Sequence, residues 1–554
     1  MNISDPLSVM NHAPLSHEQD LLEALAADLT RAGYVQDAVA VLLGDAAHEA
    51  LGRDQIVPAK LVVERVLEGG TTEALPVLVG LWLLGMSFGA EVLDAALPLT
   101  GAAGASRLQL IEADGEYFRA AADLRPHASD VAAETWIASD LGAHQRPGPL
   151  RHDHVLGVGR ASVTLAQAVI RRPVEKALDL GTGSGIQLFY LLTHCQQIVA
   201  TDISERALAF ARFNLLLNHQ TLGLDPQRLE DRVQLRHGSL LEPVAGEEFD
   251  LVVSNPPFVI TPRRETERAE DRYTYRDGGM PGDSLVESLV RGLPAVLAPG
   301  GTAQLLANWE IRAAAEPASN NENPPEGEIA PDDKTPSAWE VRPRSWISSG
   351  TEAWFIQRDV TAPEVYAETW LRDASQGRDQ EAYAEAYGDY LEDFAGRDVD
   401  GIGFGMLWLR RPVQPGQLGF GLRFEEIAHP LEQPIAPYLQ AQIEATDSLM
   451  GRDRAELVLV VADDVTEERH QRPGAQHPGV ILLRQGAGLR RTTLLSSAEA
   501  GFVSACDGEF SAGVLAQAVA SLVEGDPQEI ADDLLASVDR LVTQGFVTEM
   551  RNKG

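Results

Sequence analysis

Between residues 176 and 310 the chain alternates short apolar runs with helix-length segments: "KALDL", "IVATDI", "VQLRHG", "DLVVSN" and "TAQLLANWE". Runs of this kind, each followed by a helix, build βαβ units and a parallel sheet covered on both faces. The fold class expected is therefore α/β and Rossmann-like, and ligands belong at the carboxyl ends of its strands. One run ends abruptly. "FDLVVSNPPFVITP" starts as a buried strand at Phe249 and stops at Asn255, Pro256, Pro257 and Phe258. Two prolines cannot donate to a ladder, so the strand ends there with a polar amide and an aromatic ring at its carboxyl end.

The first run leads into "ALDLGTGSG", with Asp179 on the strand and Gly181, Gly183 and Gly185 before a helix. Glycines there let the backbone turn tightly and approach a ligand. Their spacing departs from Gly-x-Gly-x-x-Gly and lacks the lysine of a phosphate-cradling loop. The second run ends "VATDIS", which puts Asp202 at a strand tip with Ile203 beside it. A carboxylate in that place accepts the hydroxyls of a ribose, or else caps the helix that begins "SERALAFARF".

In this order the motifs resemble those of class I S-adenosylmethionine-dependent methyltransferases of the N-methylating type. "DLGTGSG" looks like their first motif, Asp202 like their ribose-binding acid, and "HGSLLEP", with Gly238 and Ser239, like their adenine-side turn. "NPPF" looks like their fourth motif. The resemblance covers residues 150–312 and extends to Arg411; one departure is Ser239, where relatives often carry Asp. It implies S-adenosyl-L-methionine as cofactor and a planar nitrogen as methyl acceptor. Asn255, through its amide oxygen, and the carbonyl of Pro256 would each accept an N–H bond, so that the nitrogen lone pair can turn to the methyl. The prolines would hold both acceptors rigid. Phe258 would stack on the acceptor, worth ~1–3 kcal/mol for a base.

Two kinds of relative share this motif, base N-methyltransferases and release-factor glutamine methyltransferases. An exocyclic amine in RNA or DNA is the leading expectation, a protein glutamine the alternative. A regulator that senses the cofactor without catalysis is a third. Arg263, Arg264, Arg268, Arg272 and Arg276, interleaved with Tyr273 and Tyr275, suit phosphate and base contacts, although Glu265, Glu267, Glu270 and Asp271 equally suit a solvated helix. "DHVLGVGRASVTLAQAV", Asp153 to Val169, lies where relatives contact the methionine end of the cofactor, or serves only as a packing helix.

The formal net charge of −37 argues against a nonspecific nucleic-acid coat. The acid is uneven: residues 1–150 hold 8 Lys and Arg against 21 Asp and Glu, residues 151–313 hold 17 against 20. A local basic face thus stays open. The two cysteines, Cys195 and Cys506, can build neither a disulfide framework nor a four-thiolate metal site, so a reducing cytoplasm and no metal are expected. No secretory signal is read at the start, and the apolar run Ala74 to Ala90, broken by Pro76 and three glycines, reads as a buried helix, not a membrane span.

Three domains are expected. Residues 1–148 read as helices followed by a hairpin turning at Asp114 and Gly115, a pattern that suits a winged-helix-like module or a generic α+β cap. Residues 149–422 form the methyltransferase domain, with a disordered Pro-, Asn- and Glu-rich insertion at 313–336. Residues 423–554 are expected to form a second α+β domain of winged-helix-like pattern. It holds the hairpin "VILLRQGAGLRRTTLL" and a last helix capped by Asp526, boxed by Glu529 and ended at Gly545. Oligomeric state is not legible.

Overall fold

The computed structural model describes residues 13–70, 72–130, 134–146, 151–263, 278–313, 336–373, 380–414, 416 and 419–550. These belong to two compact units. One takes Met1–Ala166, Arg172–Ser349 and Asp359–Arg411; the other takes Gln167–Arg171, Gly350–Arg358 and Pro412–Gly554. The insertion expected at 313–336 and the arginines from Arg264 to Arg276 lie almost wholly outside the described residues. No helix among the described residues is long and apolar enough to cross a membrane.

The first unit opens with helices, including Gln19–Arg31 and Val57–Glu68. The run from Ala74 is a short buried helix that widens into a π-helical turn at Val79–Leu83, with Leu81 and Trp82 fully enclosed. Strands β1 (Ile111–Asp114) and β2 (Tyr117–Ala120) form the hairpin, with Gly115 in its turn at φ +66°. Strands β3 (Asp123–His127) and β4 (Thr135–Ser139) pair antiparallel.

The parallel core follows as β5 (Val174–Leu180), β6 (Cys195–Asp202), β7 (Val233–His237), β8 (Phe249–Ser254) and β9 (Leu297–Arg312). Chain order runs β5, β6, β7 toward one side, then returns to place β8 against the other side of β5, with β9 beyond it. Strand order therefore reverses between β5 and β8, which is where open α/β sheets form their binding crevice. Registration sets Leu180 opposite Ser254, so the glycine turn and the Asn-Pro-Pro-Phe segment leave the sheet side by side.

The second unit contains β10 (Glu352–Thr361) from its start to Arg358. The remaining strand of the first unit, β11 (Val399–Arg410), runs antiparallel to β9 with Phe404 opposite Asn308. In the second unit β10 pairs in parallel with β12 (Leu422–Glu426). The expected hairpin is present as Val480–Gln485 with Thr492–Leu495. Asp526 caps helix Pro527–Thr543 through the amide of Gln528 rather than through a box with Glu529. The reciprocal box forms at Ser496 and Glu499 instead. Gly545 follows that last helix at φ +81°.

The sequence places a boundary at 148/149, whereas the N-terminal segment and the sheet share one compact unit. The physical reason lies on helix Glu205–Leu217. Asn214 and the C-cap Asn218 stand one turn apart on one face, and Trp136 and Ala138 stand two apart on one face of β4, so each carboxamide meets one backbone unit of the strand. Asn214 accepts from the Ala138 amide at 2.7 Å and donates to the carbonyls of Ala138 at 2.9 Å and Ser184 at 2.8 Å. Asn218 accepts from the Trp136 amide at 2.8 Å and donates to its carbonyl at 2.7 Å. The helix thus replaces a missing strand neighbour for β4. The other boundary differs too, at Pro412 rather than 423.

Asn214→Ala leaves the Ala138 amide and two carbonyls buried without partners. Unfolding of the first unit in urea should show a loss of about 2–4 kcal/mol. A loss below ~0.5 kcal/mol would mean that this carboxamide does not hold β4.

Candidate active site

The turn after β5 is built on backbone contacts to β6. The amides of Gly181 and Thr182 both donate to the Thr201 carbonyl at 2.9 Å, and the Gly183 amide donates to Asp202 Oδ2 at 2.9 Å. Asp202 Oδ1 accepts from the Ser204 amide at 2.8 Å. The cap of the next helix is Ser204, which accepts from the Ala207 amide, so the helix-cap role open to Asp202 falls to its neighbour. Burial raises the Asp202 carboxyl above its usual range against the pull of these amides.

Gly181 and Gly183 have φ of +74° and +56°, and a Cβ on either would meet nothing within 4 Å. Each glycine is there for its backbone conformation, and the space beside it is open. Gly185 differs. A Cβ there would come within 3.3 Å of Ala211 Cβ, so this glycine admits the helix Glu205–Leu217 and stands off the cavity wall. Gly238 leaves no room either, since a Cβ would lie 2.4 Å from Pro243 Cγ.

These elements enclose a cavity of about 460 Å³, within the ~300–1,000 Å³ usual for small-molecule sites. Gly181, Gly183, Asp202, Ile203, Gly238, Ser239, Asn255, Pro256 and Pro257 line it. Asp179 sits just behind the wall, accepting from Thr182 Oγ1 at 2.6 Å, and burial raises its carboxyl to about 7. Ile203, 56% exposed, offers an apolar face at the same wall as the Asp202 carboxylate.

Several wall residues had no clear motif in the sequence. His154 to Gly157 form one side. They are held by Asp140, which pairs with Arg206 and accepts from the Val155 amide at 2.7 Å, and by Ser184 Oγ, which donates to the Leu156 carbonyl. The segment 153–169 had hinted at this wall; the Asp140–Arg206 pair carried no signal, because its partners lie 66 residues apart. Thr201 also lines the cavity, with a buried hydroxyl that has no partner among the described residues. Its position directly before Asp202 was the only clue.

Beside the glycine turn, Ser254 Oγ donates to the Leu180 carbonyl at 2.7 Å and ties the ends of β8 and β5 together. Asn255 follows with its Oδ1 buried and without a partner among the described residues. Phe258 is not on the cavity wall. Its ring packs on Phe404 with centroids 5.7 Å apart and planes at 49°. Arg263 directs its guanidinium to the Met280 carbonyl at 2.9 and 3.3 Å, holding the segment Gly278–Met280 that closes the cavity.

The described residues fit an adenosyl sulfonium ligand: an oriented carboxylate for a ribose, apolar faces at Ile203 and Leu240 for a ring, and open glycine backbone. A buried amide oxygen left without a partner costs about 1–3 kcal/mol, a reason to expect a donor there.

Comparison with known proteins finds similarity over this part of the chain. Residues 155–271 match the family described as "Methyltransferase small domain", and residues 31–121 match "Domain of unknown function (DUF7059)". A release factor glutamine methyltransferase of Geobacter sulfurreducens is 36% identical over 159 residues, covering 27% of this chain and 49% of that protein. A ribosomal protein uL3 glutamine methyltransferase of Bradyrhizobium diazoefficiens is 32% identical over 162 residues, 28% of this chain and 46% of that protein. The chain thus spans about half the length of these curated relatives. Among solved structures, a SAM-dependent methyltransferase from Geobacter sulfurreducens in complex with S-adenosyl-L-homocysteine is 16% identical, with a TM-score of 0.23, over 48% of this chain and 92% of that one. The central domain carries a Rossmann-like sheet on its strand order, and residues 155–271 within it match the methyltransferase small domain.

Because the Asp179 carboxyl is raised to about 7, its protonated form favours the folded protein. That contribution is complete below about pH 4 and is lost as pH rises through 7. Asp179→Asn removes it, so the ligand-free variant should gain on wild type by roughly 4 kcal/mol of unfolding free energy between pH 4 and 8. A difference that stays constant with pH would show an ordinary carboxylate.

Proposed function

We propose that this protein transfers a methyl group from S-adenosyl-L-methionine to a planar nitrogen. The observation that carries the reading is the Asn255 amide oxygen, buried, without a partner among the described residues and set on the cavity wall beside two prolines. The cofactor supplies an electrophilic methyl group on a sulfonium. Asp202, Ile203, Gly181, Gly183, Gly238 and Ser239 hold its adenosyl part, and the His154–Gly157 wall takes its other end. Asp179 acts through the turn it braces, and Gly185 through helix packing.

At the acceptor, a delocalised nitrogen is a poor nucleophile. Asn255 Oδ1 and the Pro256 carbonyl each accept one of its N–H bonds, which favours a pyramidal nitrogen whose lone pair would form the N–C bond as the sulfur–methyl bond breaks and its electron pair stays on sulfur, leaving a neutral thioether. The prolines make this alignment before the reaction, so little reorganisation is needed at the barrier. No general base is required, since the methylated, positively charged nitrogen loses its proton to water.

For the acceptor molecule we assign first an exocyclic base amine in RNA or DNA. The half-buried rings of Phe258 and Phe404 beside the Asn-Pro-Pro segment are the surface suited to a flat base. A glutamine side chain in a protein is the second reading, favoured by the names of the relatives, which act on a release factor and on ribosomal protein uL3. The acidic total suits that reading as well. A cytoplasmic setting belongs to the proposal: Cys195 and Cys506 are free and buried, and burial pushes both thiols up to about 12.

Asn255→Ala should abolish methyl transfer while leaving cofactor affinity within about threefold, read by labelled cofactor and by calorimetry. An unchanged rate would remove Asn255 from the mechanism. With labelled cofactor and cell extract, counts that vanish with nuclease assign the base amine; counts that resist nuclease and vanish with protease assign the glutamine amide and sink the first choice.

A further inference from the structure

The segment from Asn255 to Ile260 leaves the sheet with two residues that have no N–H, so it has few donors with which to hold itself. Its near end is secured by the Ser254 hydroxyl on Leu180. Its far end is secured by a side chain 106 residues away: the Ile260 amide donates to the Tyr366 hydroxyl at 2.9 Å. That hydroxyl also accepts from Asn308 Nδ2 at 2.9 Å, and Trp370 hydrogen-bonds to it as well. Tyr366, Ile260 and Asn308 are all nearly excluded from solvent. The Tyr366 ring is wedged edge-on against Phe394, with centroids 5.9 Å apart, in a cluster that includes Val259 and Ile402.

We infer that Tyr366 is a positioning residue for the acceptor site: by holding the Ile260 amide it fixes the arch that presents Asn255 and Pro256. The inference rests on the methyl transfer proposed above. Tyr366 sits on helix Pro363–Asp373 and Asn308 on β9, both beyond residues 155–271. The acceptor half of the site is therefore completed by chain outside the matched methyltransferase span. Burial raises the phenol well above the usual tyrosine range, which keeps the hydroxyl neutral while it accepts from several donors.

Misplacing a reacting group by about an ångström costs on the order of 100-fold in rate, so loosening the arch should show in turnover before it shows in cofactor binding. The test uses the full chain, labelled S-adenosylmethionine and cell extract, with Tyr366→Phe compared to Tyr383→Phe. Tyr383 packs on the same cluster but stacks on Tyr387. Tyr366→Phe should transfer label at least ~10-fold more slowly, keep its cofactor Kd within about twofold, and exchange the Ile260 amide with deuterium at least ~10-fold faster. Tyr383→Phe should match wild type in all three. Equal rates for Tyr366→Phe and wild type would overturn the inference. So would a rate loss matched by an equal loss of cofactor affinity, because that marks general damage. If Tyr366→Phe does not fold, Asn308→Ala is the second variant. It frees the phenol on one side and should slow transfer several-fold with faster Ile260 exchange; wild-type values for both overturn the inference. Wild-type protein that transfers no label would defeat the proposed reaction itself, a result distinct from any of these.

Discussion

Everything in the site depends on two strand ends that lie side by side. The chain lays β5, β6 and β7 in one direction and then returns to set β8 on the other side of β5, so Leu180 and Ser254 face one another in register. Helices that follow the two strands cannot both cross the same edge, and a crevice remains between them. The hydroxyl of Ser254 on the Leu180 carbonyl closes the seam below it. Above the seam one strand delivers a glycine turn with open backbone, and the other a rigid arch with a buried amide oxygen. Neither feature has a use alone; register brings them to one cavity.

The cavity walls are held by polar groups that are almost fully employed. Asp202 spends both oxygens on backbone amides, Asp140 gathers Arg206 and the Val155 amide, and Asn214 links β4 to the carbonyl of Ser184 inside the glycine turn. Against that background the exceptions stand out. The Oδ1 of Asn255 and the hydroxyl of Thr201 are buried on the wall without partners among the described residues. Buried polar groups are normally satisfied, so a lone acceptor on a cavity wall is where a ligand's donor belongs.

The N-terminal segment is more than an appendage to the parallel sheet. Because Asn214 and Asn218 replace a strand neighbour for β4, the segment is packed into the unit that holds the site, and its continuation, His154 to Gly157, becomes a cavity wall. The second unit keeps its own order through a different device. Glu425 accepts from Arg491, Trp354 and Arg423, while Arg423 also donates to the carbonyl of Thr543, the last residue of helix Pro527–Thr543, and Arg491 to that of its C-cap Gln544. Those two cations offset the negative end of that helix as well as the carboxylate.

Local chemistry was enough to show a parallel α/β core, a glycine turn, an acid at a strand tip and an Asn-Pro-Pro-Phe stop, because period, proline and glycine act within a few residues. The same short range hid what distant residues decide. Gly185 and Gly183 look alike in sequence, yet one admits Ala211 and the other faces open space, since only packing tells a helix from a ligand as the close neighbour. Phe258 and Arg263 read as substrate contacts from their own types alone; the fold adds what they touch, Phe404 beside the first and the Met280 carbonyl beside the second. The residues Asp140, Asn214 and Tyr366 carry no motif at all; each acts on a backbone group more than ten residues away, a pairing that exists only once the chain is folded. Sequence alone determined which chemistry the chain carries. Tertiary structure decided which of those groups share a cavity, because hydrogen bonds and steric fit depend on distances that the order of residues does not contain.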